Sequence, residues 1–183
     1  MEKQISVLII EDYEDDAELM VLELNKSGLI INYEVVDNEN ALKDALLKKK
    51  WDAIISDYKL PGFNAIGALK TIQQMKLDLP FIIVSGTIGE EIAVQAMKSG
   101  AQDYIMKSNL TRLAPALERE IREAEMRLQK KVSAEKLLEQ ELLLRSVVEF
   151  LPVGLVLIDR NKNIVLANKE FRNTWGNIES FNG

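Results

Sequence analysis

Trp51-Asp52-Ala53-Ile54-Ile55-Ser56-Asp57-Tyr58-Lys59-Leu60-Pro61-Gly62 decides how the first half of this chain is read. Ala53 to Ser56 is a short apolar run of strand character, and Asp57 closes it just before a Pro-Gly turn. The same arrangement recurs. Ile5 to Ile10 ends on Glu11 and Asp12, Phe81 to Val84 ends on Ser85, and the weaker run Asp103 to Met106 ends on Lys107. Ile30 to Val36 is another weak strand. Runs rich in Ile and Val without polar alternation suit parallel strands covered on both faces.

Helix-period segments separate these runs: Asp16–Lys26, Asn40–Lys49, Ala65–Met75 and Glu90–Lys98. Gly28 and Gly100 follow two of them as stop signals, and Asn64 precedes the third as an N-cap. Five strand-helix units predict an α/β fold with a doubly wound parallel sheet. The crevice of such a sheet lies at the carboxyl ends of its strands. Glu11, Asp12, Asp57, Ser85 and Lys107 all fall at those ends and so converge on one edge.

Composition narrows the chemistry. The 183 residues contain no cysteine and no histidine. That excludes disulfides, thiolate zinc sites, a Ser-His-Asp triad and a phosphohistidine carried by this chain. Net charge is −6. Residues 1–109 hold 11 Lys+Arg against 18 Asp+Glu, residues 110–150 hold eight of each, and residues 151–183 hold four against three. No basic stripe favours nucleic acid. No signal-peptide pattern opens the chain, and the longest apolar stretch, Val147 to Ile158, is about half the ~20 residues of a membrane span. A cytoplasmic protein without nucleic-acid or membrane partners is the expectation.

Each polar residue has a bland reading on its own. Glu11-Asp12 could be a solvated turn, Asp57 a helix cap, Lys107 a surface lysine and Ser85 a turn residue. Together they describe a magnesium-dependent aspartyl-phosphate site. Glu11, Asp12 and Asp57 offer hard oxygens for Mg²⁺. Two carboxylates about 4 Å apart repel by about 4 kcal/mol at an effective dielectric of ~20, so the cluster needs a cation. Asp57 would be the nucleophile. Lys107 would act as a point charge on phosphoryl oxygens, and Ser85 would donate to one. Gly86-Thr87-Ile88-Gly89 would let backbone N–H groups approach the anion.

From about Thr111 the pattern becomes one long helix, with Pro115 in or near its first turn. Leu117, Ile121, Ala124 and Leu128 are spaced 4-3-4, Val132 adds a stutter, and Leu138 and Leu142 continue the stripe. A helix over 110–150 is roughly 60 Å long. A parallel homodimer through residues 115–148 would cover its stripe. Pro152 ends it; Gly154–Asp159 and Ile164–Asn168 read as a hairpin, and Lys169–Trp175 as the start of a helix. The expected organisation is 1–110, 111–150 as an extended helical linker, and 151–183 as an incomplete further domain.

Residues 3–109 resemble a response-regulator receiver domain of the chemotaxis-regulator type. The resemblance rests on the acidic pair Glu11-Asp12, on Asp57 with Leu60-Pro61-Gly62 after it, and on Ser85, Tyr104 and Lys107. It implies a flavodoxin-like five-stranded sheet in the order 2-1-3-4-5. It implies Asp57 as phosphoacceptor for a partner histidine kinase or phosphotransfer protein, with Mg²⁺ held by Glu11, Asp12, Asp57 and the backbone carbonyl of Lys59. It also implies a switch in which Ser85 moves toward the phosphoryl group and Tyr104 turns inward. Such a domain catalyses only its own phosphorylation and dephosphorylation. Two features depart from or tune the pattern. Ser108 stands where most members have proline. Lys59 and Thr87 flank the site at positions that set phosphate lifetime, and Lys59 points to slow loss. Residues 146–175 resemble the start of a PAS domain through Phe150-Leu151-Pro152-Val153-Gly154 and the hairpin after it, with a preceding helix like those of receiver-PAS sensor kinases. A receiver-fold scaffold that is never phosphorylated is the alternative. An aspartyl phosphatase would need an acid where Lys59 stands, and no P-loop motif follows a strand.

Overall fold

The structure, a computed structural model, describes residues 4–86 and 90–176. The chain divides into two compact units, residues 1–127 and 128–183.

The first unit is built on a five-stranded parallel sheet. Its strands are β1 (Gln4–Ile10), β2 (Ile30–Val36), β3 (Ala53–Asp57), β6 (Phe81–Ser85) and β7 (Asp103–Met106), in the order β2-β1-β3-β6-β7. This is the expected 2-1-3-4-5 order once β4 (Lys59–Leu60) and β5 (Phe63–Asn64) are set aside. Those two form a small antiparallel ladder around Pro61-Gly62. Gly62 has φ +73, which glycine adopts without a Cβ penalty.

Side chains alternate between the two faces as strand geometry requires. Ile5, Val7 and Ile9 of β1, Ala53 and Ile55 of β3, and Ile82 and Val84 of β6 join one core. That core is completed by Met20 and Leu24 of α1 (Glu14–Lys26) and by Leu113, Leu117 and Ile121 of α5 (Leu113–Phe150). Leu8, Ile10, Ile54, Phe81 and Ile83 face the other way. They pack on α2 (Glu39–Lys48), α3 (Ala65–Gln74) and α4 (Glu90–Lys98) through residues such as Leu42, Leu46, Leu69, Ile72 and Ala96.

The caps expected at Asn64, Gly28 and Gly100 are present, and Asn38 adds one that was not expected. Asn64 Oδ1 accepts from the Gly67 N–H at 2.8 Å, and Asn38 does the same for Ala41 at 2.9 Å. Gly28 (φ +86) and Gly100 (φ +105) close α1 and α4. Two helix starts differ from expectation by two residues. The first helix starts at Glu14 rather than Asp16. The long helix starts at Leu113 rather than Thr111, because a 3₁₀ turn over Lys107–Arg112 intervenes.

The helical stripe also divides differently. Leu117 and Ile121 are 0% and 7% exposed because they pack on their own sheet. They are therefore not available to a partner helix. Leu128, Val132, Leu138 and Leu142 are exposed at 51–62%. The expected seam over 115–148 therefore cannot include Leu117 and Ile121.

In the second unit, β8 (Val156–Ile158) and β9 (Ile164–Ala167) form an antiparallel hairpin followed by α6 (Lys169–Trp175). Asp159 Oδ1 accepts from the N–H groups of Asn161 and Asn163 and shapes the turn. Asn168 is fully buried. Its Oδ1 accepts from Leu155 N at 2.7 Å and caps α6 through Phe171 N at 3.0 Å. Its Nδ2 donates to the carbonyls of Val153 at 2.8 Å and Val148 at 3.1 Å. One side chain thus joins the end of α5, the loop after it, the hairpin and α6.

Leu117→Ala separates core from seam. Because Leu117 is buried in its own unit, truncation should cost about 2–5 kcal/mol of unfolding free energy, independent of protein concentration, in denaturant titration.

Candidate functional site

The register of the parallel strands assembles the site. Ile10 pairs with Ser56, so Glu11 and Asp57 lie one step further along neighbouring strands. Asp57 pairs with Val84, and Ser85 pairs with Met106, the residue before Lys107. Four strand ends therefore deliver two carboxylates, a hydroxyl and an ammonium to one edge, and Asp12 adds a third carboxylate.

Lys107 Nζ lies 2.7 Å from Glu11 Oε2, 2.5 Å from Asp16 Oδ2 and 3.6 Å from Asp57 Oδ1. Glu11 is buried, and burial pushes its carboxyl above the ordinary range against the opposing pull of Lys107. The folded protein holds that proton more tightly than the unfolded chain, so this group's contribution to stability falls as pH rises above 4.5. Burial pulls Lys107 down, but hydrogen bonds to Asp16 and Glu11 and the charge of Asp57 outweigh it and hold the ammonium above its ordinary value. The stabilisation from its ion pairs is present below pH 10.5 and lost as pH rises through the raised value.

Glu11, Asp12 and Asp57 each offer an oxygen, and these oxygens all lie within 4.8 Å of one another. Asp12 Oδ1 is the one buried side-chain oxygen or nitrogen among the described residues that lacks a hydrogen-bond partner. An orphaned anionic oxygen beside two more carboxylates fits a hard divalent cation.

Ser85 is 3% exposed at the end of β6 and lines a cleft with Asp57, Lys59 and Lys107. Lys59 is exposed at its rim. Tyr104 is half-buried and packs against the core under α2, α3 and α4. The Lys107–Ser108 peptide is trans. Thr87, Ile88 and Gly89 lie outside the described residues. Asp16 is the residue that sequence reasoning did not place in the site. It sat inside a helix-period segment; the available signal was a surplus of acids, Glu14-Asp15-Asp16, at the helix start.

This geometry has relatives. The response regulator receiver domain family matches residues 7–118. The chain belongs to that family. Residues 142–182 match the PAS domain family. The C4-dicarboxylate transport transcriptional regulatory protein DctD of Pseudomonas aeruginosa is 30% identical over 104 residues, covering 57% of this chain and 22% of DctD. The transcriptional regulatory protein FixJ of Bradyrhizobium diazoefficiens is 34% identical over 90 residues, covering 49% of this chain and 44% of FixJ. The aligned part of the chain thus spans less than half the length of either relative. The crystal structure of full-length FixJ from B. japonicum superposes with a TM-score of 0.61 at 26% identity, over 76% of this chain and 66% of that one. A Francisella receiver domain at 22% identity and TM-score 0.58, covering 65% of this chain and 98% of its own, shares the fold. Among the described residues no helix of this receiver protein is long and apolar enough to cross a membrane.

Magnesium should stabilise the protein through the three-carboxylate cluster. Mg²⁺ at a hundredfold excess over its Kd should add about 2.7 kcal/mol. Asp12→Asn should abolish that gain and leave the metal-free protein no less stable, because a carboxylate repulsion is relieved. Thermal melts with Mg²⁺ and with chelator check both.

Proposed function

We propose that the first unit is a phosphoacceptor switch of two-component signalling, with Asp57 as the residue phosphorylated by a partner histidine kinase or phosphotransfer protein. The observation that carries this reading is the Lys107 ammonium 3.6 Å from Asp57 Oδ1 at an edge that also holds Glu11, Asp12 and Ser85. Membership of the receiver family supports it.

Asp57 attacks phosphorus with a carboxylate oxygen; that O–P bond forms as the bond to the donor's leaving nitrogen or oxygen breaks. Catalysis in such a transfer is mainly positioning and charge neutralisation. Lys107 supplies a positive charge for the phosphoryl oxygens, and Ser85 supplies a hydroxyl from a buried strand end. Glu11, Asp12 and Asp57, with the backbone carbonyl of Lys59, would hold Mg²⁺, which supplies further charge neutralisation when bound. The protein's catalysis is confined to its own phosphorylation and dephosphorylation. Lys59 at the cleft rim would slow attack by water on the acyl phosphate.

The signal has a physical route out of the site. Tyr104 neighbours Asp103, whose Oδ2 accepts from Arg119 of α5 at 2.7 Å. A change in β7 is thereby tied to the helix. The exposed positions from Leu128 to Val147 would pair with a second copy in parallel and relay the change to the PAS-family segment. Covering this stripe with a second copy removes exposed leucines from water.

Intact mass after incubation with acetyl phosphate and Mg²⁺ tests the phosphoacceptor. One phosphate adduct is expected on the wild type, none on Asp57→Ala and none with chelator. Absence of any adduct on the wild type would favour a non-phosphorylated scaffold. Sedimentation tests the helix: the wild type should be a dimer, and Leu138→Glu should be a monomer whose first unit melts at the wild-type temperature.

A further inference from the structure

The acids at the start of α1 do not behave alike. Glu14 and Asp15 are exposed, which suits carboxylates beside a helix N-terminus. Asp16 turns to Lys107 instead, with Oδ2 2.5 Å from Nζ, and lines the same cleft as Asp57, Ser85 and Lys59. Its side chain is 39% exposed, so it stands between solvent and the ammonium. Lys107 has three N–H donors. Glu11 and Asp16 accept two of them, and Asp57 lies further away, at 3.6 Å.

A phosphoryl group on Asp57 would bring about two negative charges into this cleft. Lys107 can give it the one donor that Glu11 and Asp16 leave uncommitted, and more only by loosening its bond to Asp16. Asp16 then becomes an uncompensated negative charge facing the phosphoryl oxygens. Competition for the ammonium and repulsion of the incoming group act in the same direction, and both vanish when residue 16 loses its charge.

We propose that Asp16 is a positioning residue that holds Lys107 in the resting site and thereby sets a threshold against small anionic phosphodonors. The inference rests on the phosphoacceptor reading of Asp57. Repulsion scales with the product of the charges, so a doubly charged free donor is disfavoured more than a singly charged one.

The test is the initial rate of phosphate adduct formation on the full chain with Mg²⁺, read by intact mass, with acetyl phosphate and with the less charged phosphoramidate. Asp16→Asn should accept phosphate from acetyl phosphate about tenfold faster, a factor equivalent to ~1.4 kcal/mol, through a lower half-saturating donor concentration. The gain should be smaller with phosphoramidate and should shrink at high salt. Asp16→Ser should behave like Asp16→Asn, and Asp16→Glu, which keeps the charge, like the wild type. Asp15→Asn removes a charge from the same helix end without touching Lys107 and should change nothing. Mg²⁺ affinity, titrated without donor, should be the same in wild type and Asp16→Asn. Equal or slower labelling of both Asp16→Asn and Asp16→Ser overturns the inference and leaves the phosphoacceptor reading standing. A tenfold loss of Mg²⁺ affinity would place Asp16 in the metal site and overturn it too. No adduct on any protein from either donor overturns both readings.

Discussion

Glu11, Asp16 and Asp57 can share one crevice because a single ammonium lies 2.7, 2.5 and 3.6 Å from an oxygen of each. Without Lys107 the carboxylates would face one another at a half-buried sheet edge, where repulsion is stronger than in bulk water. Burial alone already raises the carboxyl of Glu11, and Lys107 works against that shift. The ammonium comes from the far end of the unit's sequence, so the site exists only when the last strand has docked. Site assembly and completion of the sheet are therefore one event.

The core obeys the same constraint. Alternate residues of β1, β3 and β6 feed two separate apolar layers, one closed by α1 and α5 and the other by α2, α3 and α4. A slip of β3 by one residue would exchange Ile54 and Ile55 between layers, and every other side chain of the strand with them. It would also carry Asp57 away from its place beside Glu11. The alternation that keeps apolar groups dry therefore holds the functional carboxylates in register, with no separate scaffold for the site.

Much of this was legible in the residue pattern. The central strands β1, β3 and β6 fall where the continuous apolar runs lie, because a parallel strand covered on both faces has few ways to be polar. Glu11, Asp12, Asp57, Ser85 and Lys107 were legible for a related reason: a charged or hydroxyl residue ending such a run has nowhere to go but the edge. Asp16 was not legible, since a helix start favours acids whether or not they touch anything. Leu117 and Ile121 were misassigned to a seam because four-three spacing serves a helix packed on a sheet as well as one packed on its copy. The 3₁₀ turn after Lys107 leaves no period of its own; Ser108, Asn109 and Thr111 are residues that turns and caps share.

Asn168 has a consequence for how the second unit can vary. Its amide is used at both ends, accepting from Leu155 and Phe171 and donating to Val148 and Val153. Aspartate has no hydrogen to donate, leucine neither donates nor accepts, serine offers one oxygen, and glutamine is a methylene too long for a buried site. The hairpin around it is made of Val, Leu and Ile, which exchange for one another at small cost. Substitution is thus cheap along the strands and costly at Asn168, the residue just past the second of them. A diverging copy of this segment would vary most along its strands and least at Asn168, at Gly154, where a Cβ would meet the Phe171 backbone, and at the Asp159 turn.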